Sequence, residues 1–383
     1  MKLKVCNYVQ FEGQANQWRL DGLTLGPINL LVGKNASGKT RALNVITGLA
    51  KLLSGESKLT YVSGNYEVTF ERNGSSTQYL LRYENAKIIS EVLKNGGRTL
   101  LERGVGGSGS IFALKANQHV EFQTPENELA AVARRDSIQH PFFEPLQEWG
   151  KSLHRYDFGS SMGRDHIAVL AKEKQIDFDP RDTNKVIGVF RGGEREFGDS
   201  FKEAIMKDLA EIGYVVDEIG VRSPTSLIVP PEFPFMGELV GLYVKERSLS
   251  AITDQSDMSQ GMFRALSLII HMNYSELALK PSCVLVDDIG EGLDFERSTA
   301  LIALLTRKAK TSGVQLVMAT NDRFVMNSVP LEAWTVLRRE GSRVRIYNYE
   351  NSKAIFDEFK FTGMNNFDFL AVDFINQSKG SSE

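Results

Sequence analysis

The segment INLLVGKNASGKT, residues 28–40, decides the fold of this chain. It joins a short apolar run to a glycine-rich octapeptide that ends in Lys39 and Thr40, and a helix-forming stretch follows at residues 41–46. A buried strand, a G-x-x-x-x-G-K-[ST] loop and a helix in this order let backbone N–H groups turn toward a phosphate at the helix N-terminus. The segment therefore predicts an α/β fold with a loop that binds nucleotide phosphates.

The chemistry of this phosphate loop assigns roles to its side chains. Lys39 is expected to reach the β- and γ-phosphates, and the Thr40 hydroxyl is expected to hold Mg²⁺. An ordinary glycine turn is the alternative, but the strand and the helix on either side favour the phosphate loop. The residues that we expect to surround ATP here are Gly33, Lys34, Asn35, Ala36, Ser37, Gly38, Lys39, Thr40 and Arg41.

Composition and charge are those of an ordinary globular protein. The chain has 383 residues, a formal net charge of −3 and a pI near 6.1, which excludes a uniformly basic nucleic-acid binder. Its two cysteines exclude a disulfide scaffold, and its five histidines do not cluster at metal-ligand spacing. The N-terminus lacks an apolar targeting segment and no apolar run is long enough to span a bilayer. We therefore expect a cytoplasmic protein with no membrane contact.

Turn residues and hydrophobic periodicity divide the chain into an early β-rich part and a later α/β part. Residues 1–32 predict two strands around the turn Asp21-Gly22, and an antiparallel meander follows to about residue 122. Helical periodicity over residues 126–155 predicts core helices. The later part alternates helix and strand, which implies a parallel sheet. Its predicted elements are helix 260–279, strand 283–286, helix 295–311, strand 314–320 and a hairpin at 340–341.

A second acidic element lies downstream, as a Mg²⁺-dependent hydrolase requires. Residues 283–288, CVLVDD, combine a buried strand with two acids at its carboxyl end. Asp287 is expected beside the phosphate loop, where it can hold Mg²⁺ through water, and Asp288 is placed to polarise the attacking water. Two acids that cap the next helix are the alternative. The presence of the phosphate loop favours the metal site.

Ser259, Gln260 and Gly261 come immediately before a helix of apolar period, and Arg264 follows about one turn later. Alone, this tripeptide would be an ordinary N-cap. Its position shortly before the acidic strand resembles the signature motif of ATP-binding-cassette (ABC) ATPases. In that family the signature of one subunit covers the γ-phosphate bound by the other. The resemblance therefore implies a homodimer with ATP sandwiched between its subunits.

Two further motifs follow in the order of that family, with departures. Residues 292–294, GLD, stand in the place of the D-loop, and Asn321 stands where the family usually has a histidine that contacts the γ-phosphate. Asp288 replaces the usual glutamate, and Glu291 lies close enough in the chain to compensate as a catalytic carboxylate. Because asparagine cannot carry a proton and Asp288 is one methylene shorter, the departures imply slow ATP turnover.

The last predicted ligand is Gln123. The family commonly joins Mg²⁺ to its inserted region through a glutamine after the meander, and Gln123 is the best match by position, although any loop glutamine would match equally well. The adenine contacts are not assigned by the sequence. Trp18 suits a base-stacking position and a core position equally well.

The complete order of motifs resembles the RecF/SMC-type branch of ABC ATPases over residues 1 to about 350. It implies an α/β, ABC-type P-loop NTPase with a mostly parallel core sheet, an antiparallel β subdomain, a compact helical insertion and no coiled coil. The nucleotide-binding lobe would comprise residues 1–122 and 251–350, and the insertion residues 123–250. Residues 351–383 would form a C-terminal tail.

Residues 287–305 and 359–370 further resemble the stand-alone ATPases of prokaryotic anti-phage defence, relatives of the ATPase half of overcoming-lysogenization-defect nucleases. No nuclease motif follows in this chain. The resemblance thus implies an ATP-gated homodimer that regulates a trans-encoded effector, such as a nuclease, a toxin or a reverse-transcriptase-type protein. A DNA-clamping repair ATPase is the alternative. Its basic face would comprise Arg134, Arg135, Arg191, Arg195, Lys245 and Arg247, although the acids interleaved among them favour a solvated surface. A transporter subunit is a third and would need a membrane chain.

Overall fold

The computed structural model describes residues 1–59, 61–171, 179–225 and 237–380. Within them the strands form a large and a small sheet. The strands are β1 (Lys2–Gln10), β2 (Trp18–Thr24), β3 (Ile28–Val32), β4 (Ser63–Arg72), β5 (Ser75–Glu84), β6 (Lys87–Asn95), β7 (Arg98–Arg103), β8 (Ser108–Ala113), β9 (Gln118–Gln123), β10 (Leu153–Asp157), β11 (Ala168–Ala171), β12 (Val216–Arg222), β13 (Gly237–Glu246), β14 (Thr253–Asp254), β15 (Cys283–Asp287), β16 (Gln315–Ala319), β17 (Trp334–Glu340) and β18 (Arg343–Asn348). Strands β11 to β14 make the small sheet, and the others make the large one.

Five neighbouring strands of the large sheet are parallel, in the order β10, β15, β16, β3 and β17. Most are apolar runs, as expected of strands that are covered on both faces. Because parallel strands end at the same edge, β3 delivers the phosphate loop and β15 delivers Asp287 to one side of the sheet. The parallel sheet and its strands at 283–286 and 314–320 are thus confirmed to within one residue.

The other half of the large sheet is antiparallel and carries the meander. Strand β18 pairs in parallel with β2. From β2 the order continues through β1 and β4 to β9, with each of these strands antiparallel to the next. Asn73 and Gly74 have positive φ at the turn between β4 and β5, so this predicted hairpin is confirmed. The hairpin predicted at residues 340–341 joins β17 to β18 and is confirmed as well.

Helices cover both faces of the large sheet, and the sheet separates two hydrophobic cores. Leu31 and Leu285 point into the core with α1, whereas their neighbours Leu30 and Val286 point into the core with α6 and α7, as the period of two requires. The helices are α1 (Lys39–Ser54), α2 (Ala130–Ala133), α3 (Glu144–Lys151), α4 (Val186–Phe197), α5 (Asp199–Glu211), α6 (Gln260–Tyr274), α7 (Phe295–Ser312), α8 (Arg323–Ser328), α9 (Lys353–Lys360), α10 (Asp368–Ala371) and α11 (Phe374–Gly380).

Two sequence predictions about the strands need correction. Residues 1–32 form three strands, and the expected turn at Gly22 lies inside β2, where the pairing with β1 shifts register. Gly22 has φ 71°, and a bulge uses this conformation just as a turn does. Residues 126–155 hold only two short helices and β10, because Pro141 and Pro145 interrupt the helical pattern.

Strand β10 also moves the expected start of the insertion. It pairs in parallel with β15 along its full length, so residues 153–157 belong to the core sheet and not to an insertion that begins at residue 123. Helix α3, just before β10, packs against α1 and shares its core. The small sheet with α4 and α5 therefore follows β10 and occupies the later part of the expected insertion.

Glu91 and Arg103 form an ion pair inside the antiparallel half, with Oε2 and Nη1 3.5 Å apart and both side chains 0% exposed. Glu91 also accepts hydrogen bonds from the backbone N–H groups of Ala130, at 2.7 Å, and Ala131, at 2.9 Å. Burial raises the pKa of Glu91, and these N–H groups and Arg103 oppose the rise. Arg103 donates to the backbone carbonyls of Thr124, Pro125 and Glu128. The pair thus ties the meander to the chain that leads into α2.

We expect Glu91→Ala to lower the free energy of unfolding by about 3–5 kcal/mol, because it leaves the buried Arg103 without its anionic partner and two buried N–H groups without an acceptor. Urea unfolding followed by circular dichroism measures the change. Glu84→Ala is the control, since Glu84 forms an exposed ion pair with Arg82 and its removal should cost under about 1 kcal/mol. Equal losses in the two variants would contradict the assignment.

Candidate nucleotide-binding site

The phosphate loop packs tightly against the middle of β17. A Cβ added to Gly33 would lie 2.4 Å from the Leu337 carbonyl oxygen and 2.7 Å from Ser37 Oγ, so only glycine fits. The Lys39 ammonium is buried and donates to the carbonyl of Gly33 at 2.9 Å and, more weakly, to that of Lys34 at 3.4 Å. Burial lowers the pKa of Lys39, and the nearby carboxylates of Asp288 and Asp287 act in the opposite sense. The lysine thus lies between the loop and the acidic strand.

Trp18 packs against the phosphate loop at Gly38. Its indole is 2% exposed and packs against Gly38, and the Arg41 guanidinium covers the ring at 4.3 Å from its centre. Arg41 also donates to Gln10 Oε1 at 2.7 Å. Of the two positions that the sequence left open for Trp18, the structure therefore selects the core.

Asp287 and Thr40 face each other where α1 begins and β15 ends. The Thr40 side chain lies beside the Asp287 carboxylate, and one guanidinium nitrogen of Arg155 lies 3.4 Å from Asp287 Oδ2. Burial raises the pKa of Asp287, while the Thr40 hydroxyl and the charge of Arg155 lower it. A hydroxyl and a carboxylate at this point are the hard oxygen ligands that Mg²⁺ prefers.

Asp288 and Glu291 converge over Gly159, in the loop that follows β10. A Cβ on Gly159 would lie 2.8 Å from Glu291 Oε2 and 3.1 Å from Asp288 Oδ2. Asp288 has φ 50°, and its backbone N–H donates to Asp287 Oδ1 at 3.2 Å. Two carboxylates therefore sit side by side next to the expected metal ligand, and the sequence predicted both of them.

The signature residues begin α6 and lie against the loop after β15. Ser259 caps the helix, and its hydroxyl accepts from the Met262 N–H at 3.2 Å. Gly261 packs so closely on the loop that an added Cβ would be 2.3 Å from the Gly292 carbonyl oxygen. Ser259 and Gln260 are exposed. Packing within the chain therefore requires glycine at position 261.

Arg264 links three segments around the acids. Its guanidinium donates to the carbonyls of Gly159 at 2.7 Å, Ser160 at 2.9 Å and Glu291 at 3.1 Å. The side chain is almost fully buried and also lies 3.6 Å from Glu291 Oε1. One residue of the signature helix therefore holds the loop after β10 and the loop that carries Glu291.

Asn321 lies at the same edge of the sheet, just after β16, and is exposed. Its neighbour Thr320 is buried and donates to the Ile289 carbonyl at 2.8 Å. Because Ile289 directly follows Asp288, this bond ties the segment of Asn321 to the acidic loop. The family resemblance placed Asn321 and Asp288 in one site, and in the structure the segments that carry them are hydrogen-bonded to each other.

Gln123 is not beside Asp287 and needs correction. It ends β9, the outermost strand of the antiparallel half, where it pairs with Ser108 and is exposed. The residue that pairs with Asp287 in register is Asp157, at the end of β10. The prediction failed because it took β9 as the last strand before the insertion, and the short strand β10 gave no clear pattern in the sequence.

The loop and its neighbours fit a nucleotide phosphate with Mg²⁺. Ser37 Oγ is buried without a hydrogen-bond partner among the described residues, although a phosphate oxygen would satisfy it. Among the described residues, the Lys39 ammonium donates to backbone carbonyls, from which it can turn toward an anion. Thr40 and Asp287 are the residues that would supply oxygen ligands to the metal.

The fold is similar to that of SMC head domains. An SMC head bound to the C-winged helix domain of ScpA matches with a TM-score of 0.53 and 11% identity, over 93% of this chain and 99% of that one. The SMC head domain from Thermotoga maritima matches with a TM-score of 0.45 and 13% identity, over 91% of this chain and 99% of that one. The Smc head domain with an extended coiled coil, bound to the C-terminal domain of ScpA derived from Pyrococcus furiosus, matches with a TM-score of 0.45 and 11% identity, over 94% of this chain and 99% of that one. No protein-family model and no curated protein match the chain. The first match establishes the ABC-type ATPase fold of SMC heads.

Three features of the described residues concern membrane spans, metal clusters and the predicted basic face. Within residues 1–59, 61–171, 179–225 and 237–380, no helix has the length and apolarity needed to cross a bilayer. The same ranges hold no cluster of three or more His, Cys, Asp or Glu side chains in a metal-binding arrangement. Of the predicted basic face, Arg135 lies 3.2 Å from Glu144, and Arg134 donates to Thr124 Oγ1 and to the Gln123 carbonyl.

We expect Gly261→Ala to separate the start of α6 from the loop at Gly292, because the new methyl group overlaps a backbone carbonyl. The cost should be about 1–3 kcal/mol, with faster hydrogen exchange at residues 288–293, measured by thermal unfolding and exchange mass spectrometry. Gly104→Ala is the matched control, since nothing lies within 4 Å of its Cβ position. If both variants exchange and unfold alike, the close approach is not structural.

Proposed function

We propose that this protein binds ATP with Mg²⁺, hydrolyses it slowly and dimerises around it. The ABC-type fold and the convergence of Lys39, Asp287, Asp288 and Glu291 at one sheet edge support the proposal. In it, the phosphate loop and Lys39 hold the phosphates, and Thr40 and Asp287 hold the metal. The ion would neutralise phosphate charge, and Asp288, with Glu291 beside it, would orient and deprotonate the attacking water.

One observation carries the dimer: the start of α6 is exposed, and its contacts run to the loops after β10 and β15. A cavity of about 340 Å³ lies against residues 33–37, and its walls come from β17 and the C-terminal helices, with no residue of α6. The contacts of Gly261 and Arg264 hold α6 to the loop after β15 instead. Ser259 and the N-terminal dipole of α6 are thus available to an anion bound by a second copy.

The proposed regulation of an effector protein is supported by a sequence resemblance and by a partner-bound protein of the same fold. Residues 287–305 and 359–370 resemble the stand-alone ATPases of prokaryotic anti-phage defence, and an SMC head of the same fold is bound to a domain of ScpA. That SMC head therefore binds a protein partner. We infer that the ATP-bound dimer regulates or scaffolds an effector protein encoded separately.

We expect Lys39→Met to weaken ATP binding by at least about tenfold, because it removes a charge-assisted contact to phosphate. Asp288→Asn should retain ATP but lower turnover by about 100-fold, as loss of a general base does, and should trap the dimer. Calorimetry, phosphate release and native mass spectrometry measure these effects. Lys51→Met, at the exposed far end of α1, is the control and should behave as wild type.

The sandwich is tested by mixing two inactive variants. Ser259→Arg should bind ATP but block the anion site of its helix, and Lys39→Met should lack nucleotide. Their heterodimer contains one intact composite site, so an equal mixture should recover about a quarter of the wild-type turnover, as random pairing predicts. No recovery on mixing would contradict a site shared between subunits.

Native complexes isolated with and without ATP and Mg²⁺ test the effector. A second protein that travels with the Asp288→Asn dimer, and is lost with Lys39→Met, is the expected result. Salt-sensitive DNA affinity in the absence of such a protein would favour the DNA-clamping alternative.

A further inference from the structure

Arg155 is a mostly buried cation beside the expected metal ligand, and the proposed reaction does not use it. Its side chain is 16% exposed and lies on β10. Its guanidinium contacts three side chains: Asp157 Oδ1 at 2.8 Å from Nε, Asp287 Oδ2 at 3.4 Å from Nη2, and Asn44 Oδ1 through Nη1. Asp287 is 6% exposed, and Arg155 forms an ion pair with it.

Strand register explains this position. Residues 155 and 157 project from the same face of β10, and their partners in register on β15 are Leu285 and Asp287. That face packs against α1, which carries Asn44. The guanidinium is therefore enclosed by β10, β15 and α1, at the point where Thr40 meets Asp287.

The two carboxylates hold Arg155 unequally. The contact to Asp157 is short, and the Asp157 side chain is 52% exposed, whereas the contact to the buried Asp287 is longer. Arg155 can therefore give up Asp287 and keep Asp157 with little rearrangement. A guanidinium and a divalent cation on one carboxylate repel each other strongly when water is largely excluded.

We infer that Arg155 is a positioning residue that occupies Asp287 before Mg²⁺ arrives and gives the carboxylate up to the metal, while Asp157 retains the arginine. The inference rests on the proposed function. In this scheme Arg155 keeps Asp287 in place when no ion is bound and sets the Mg²⁺ concentration at which ATP is held. It does not contact the reacting atoms.

The test is a Mg²⁺ titration of the binding of a fluorescent ATP analogue to the full chain at constant ionic strength. Arg155→Gln removes the competing charge, so the half-saturating Mg²⁺ concentration should fall by about tenfold, the scale of one partly screened charge. Arg155→Lys keeps the charge and should remain near the wild-type value. An unchanged or raised value in Arg155→Gln would overturn the inference.

Asp157→Asn supplies a shift of opposite sign and, because Asp157 is exposed, should fold normally. Without its second carboxylate, Arg155 should bind Asp287 more firmly, and the half-saturating Mg²⁺ concentration should rise by about threefold. In the double variant Arg155→Gln/Asp157→Asn the rise should vanish, because Asp157 acts through Arg155. A rise that persists there would make Asp157 a direct metal ligand and would overturn its assigned role.

Two controls separate the possible failures. If wild type binds no nucleotide at any Mg²⁺ concentration, the proposed function fails. If wild type binds and only the expected shifts are missing, the inference about Arg155 fails. Thermal unfolding of each variant identifies a structural role, since a lower Tm with an unchanged Mg²⁺ midpoint would mean that Arg155 only braces β10 against α1.

Discussion

The parallel pairing of β3, β16, β15 and β10 is the constraint on which the rest of this structure depends. It brings the ends of four strands to one edge, so Gly33, Thr320, Asp287 and Asp157 become neighbours although they lie far apart in the chain. The N-terminus of α1 opens at the same edge and adds its partial positive charge. The phosphate loop and the acidic residues of the proposed site therefore lie at this edge of the sheet.

Charge compensation then makes this edge stable without a ligand. Lys39 lies near Asp287 and Asp288, and Arg155 bridges Asp287 and Asp157. A buried acid without such a partner would be costly. The same pairs are the ones that ATP and Mg²⁺ would have to rearrange, so binding becomes an exchange of partners and not the filling of an empty space.

The signature helix is mechanically part of this arrangement. Gly261 touches the loop after β15, and Arg264 binds the carbonyls of Gly159 and Glu291. Because α6 also packs against α4 and α5, a shift of the acidic loop would be passed to the small helical region. This continuity gives a physical route by which nucleotide state could reach a partner protein.

The sequence by itself determined the local elements: the strand, phosphate loop and helix around Gly33 to Thr40, the acids after β15, and the capped start of α6. These depend on short-range periodicity, glycine conformation and capping. Only the tertiary structure decided that Trp18 is core, that Gln123 lies on an edge strand, and that Arg155 and Asp157 stand beside Asp287. The reason is that strand β10 is five residues long and finds its place through pairing with β15, a contact between residues about 130 positions apart.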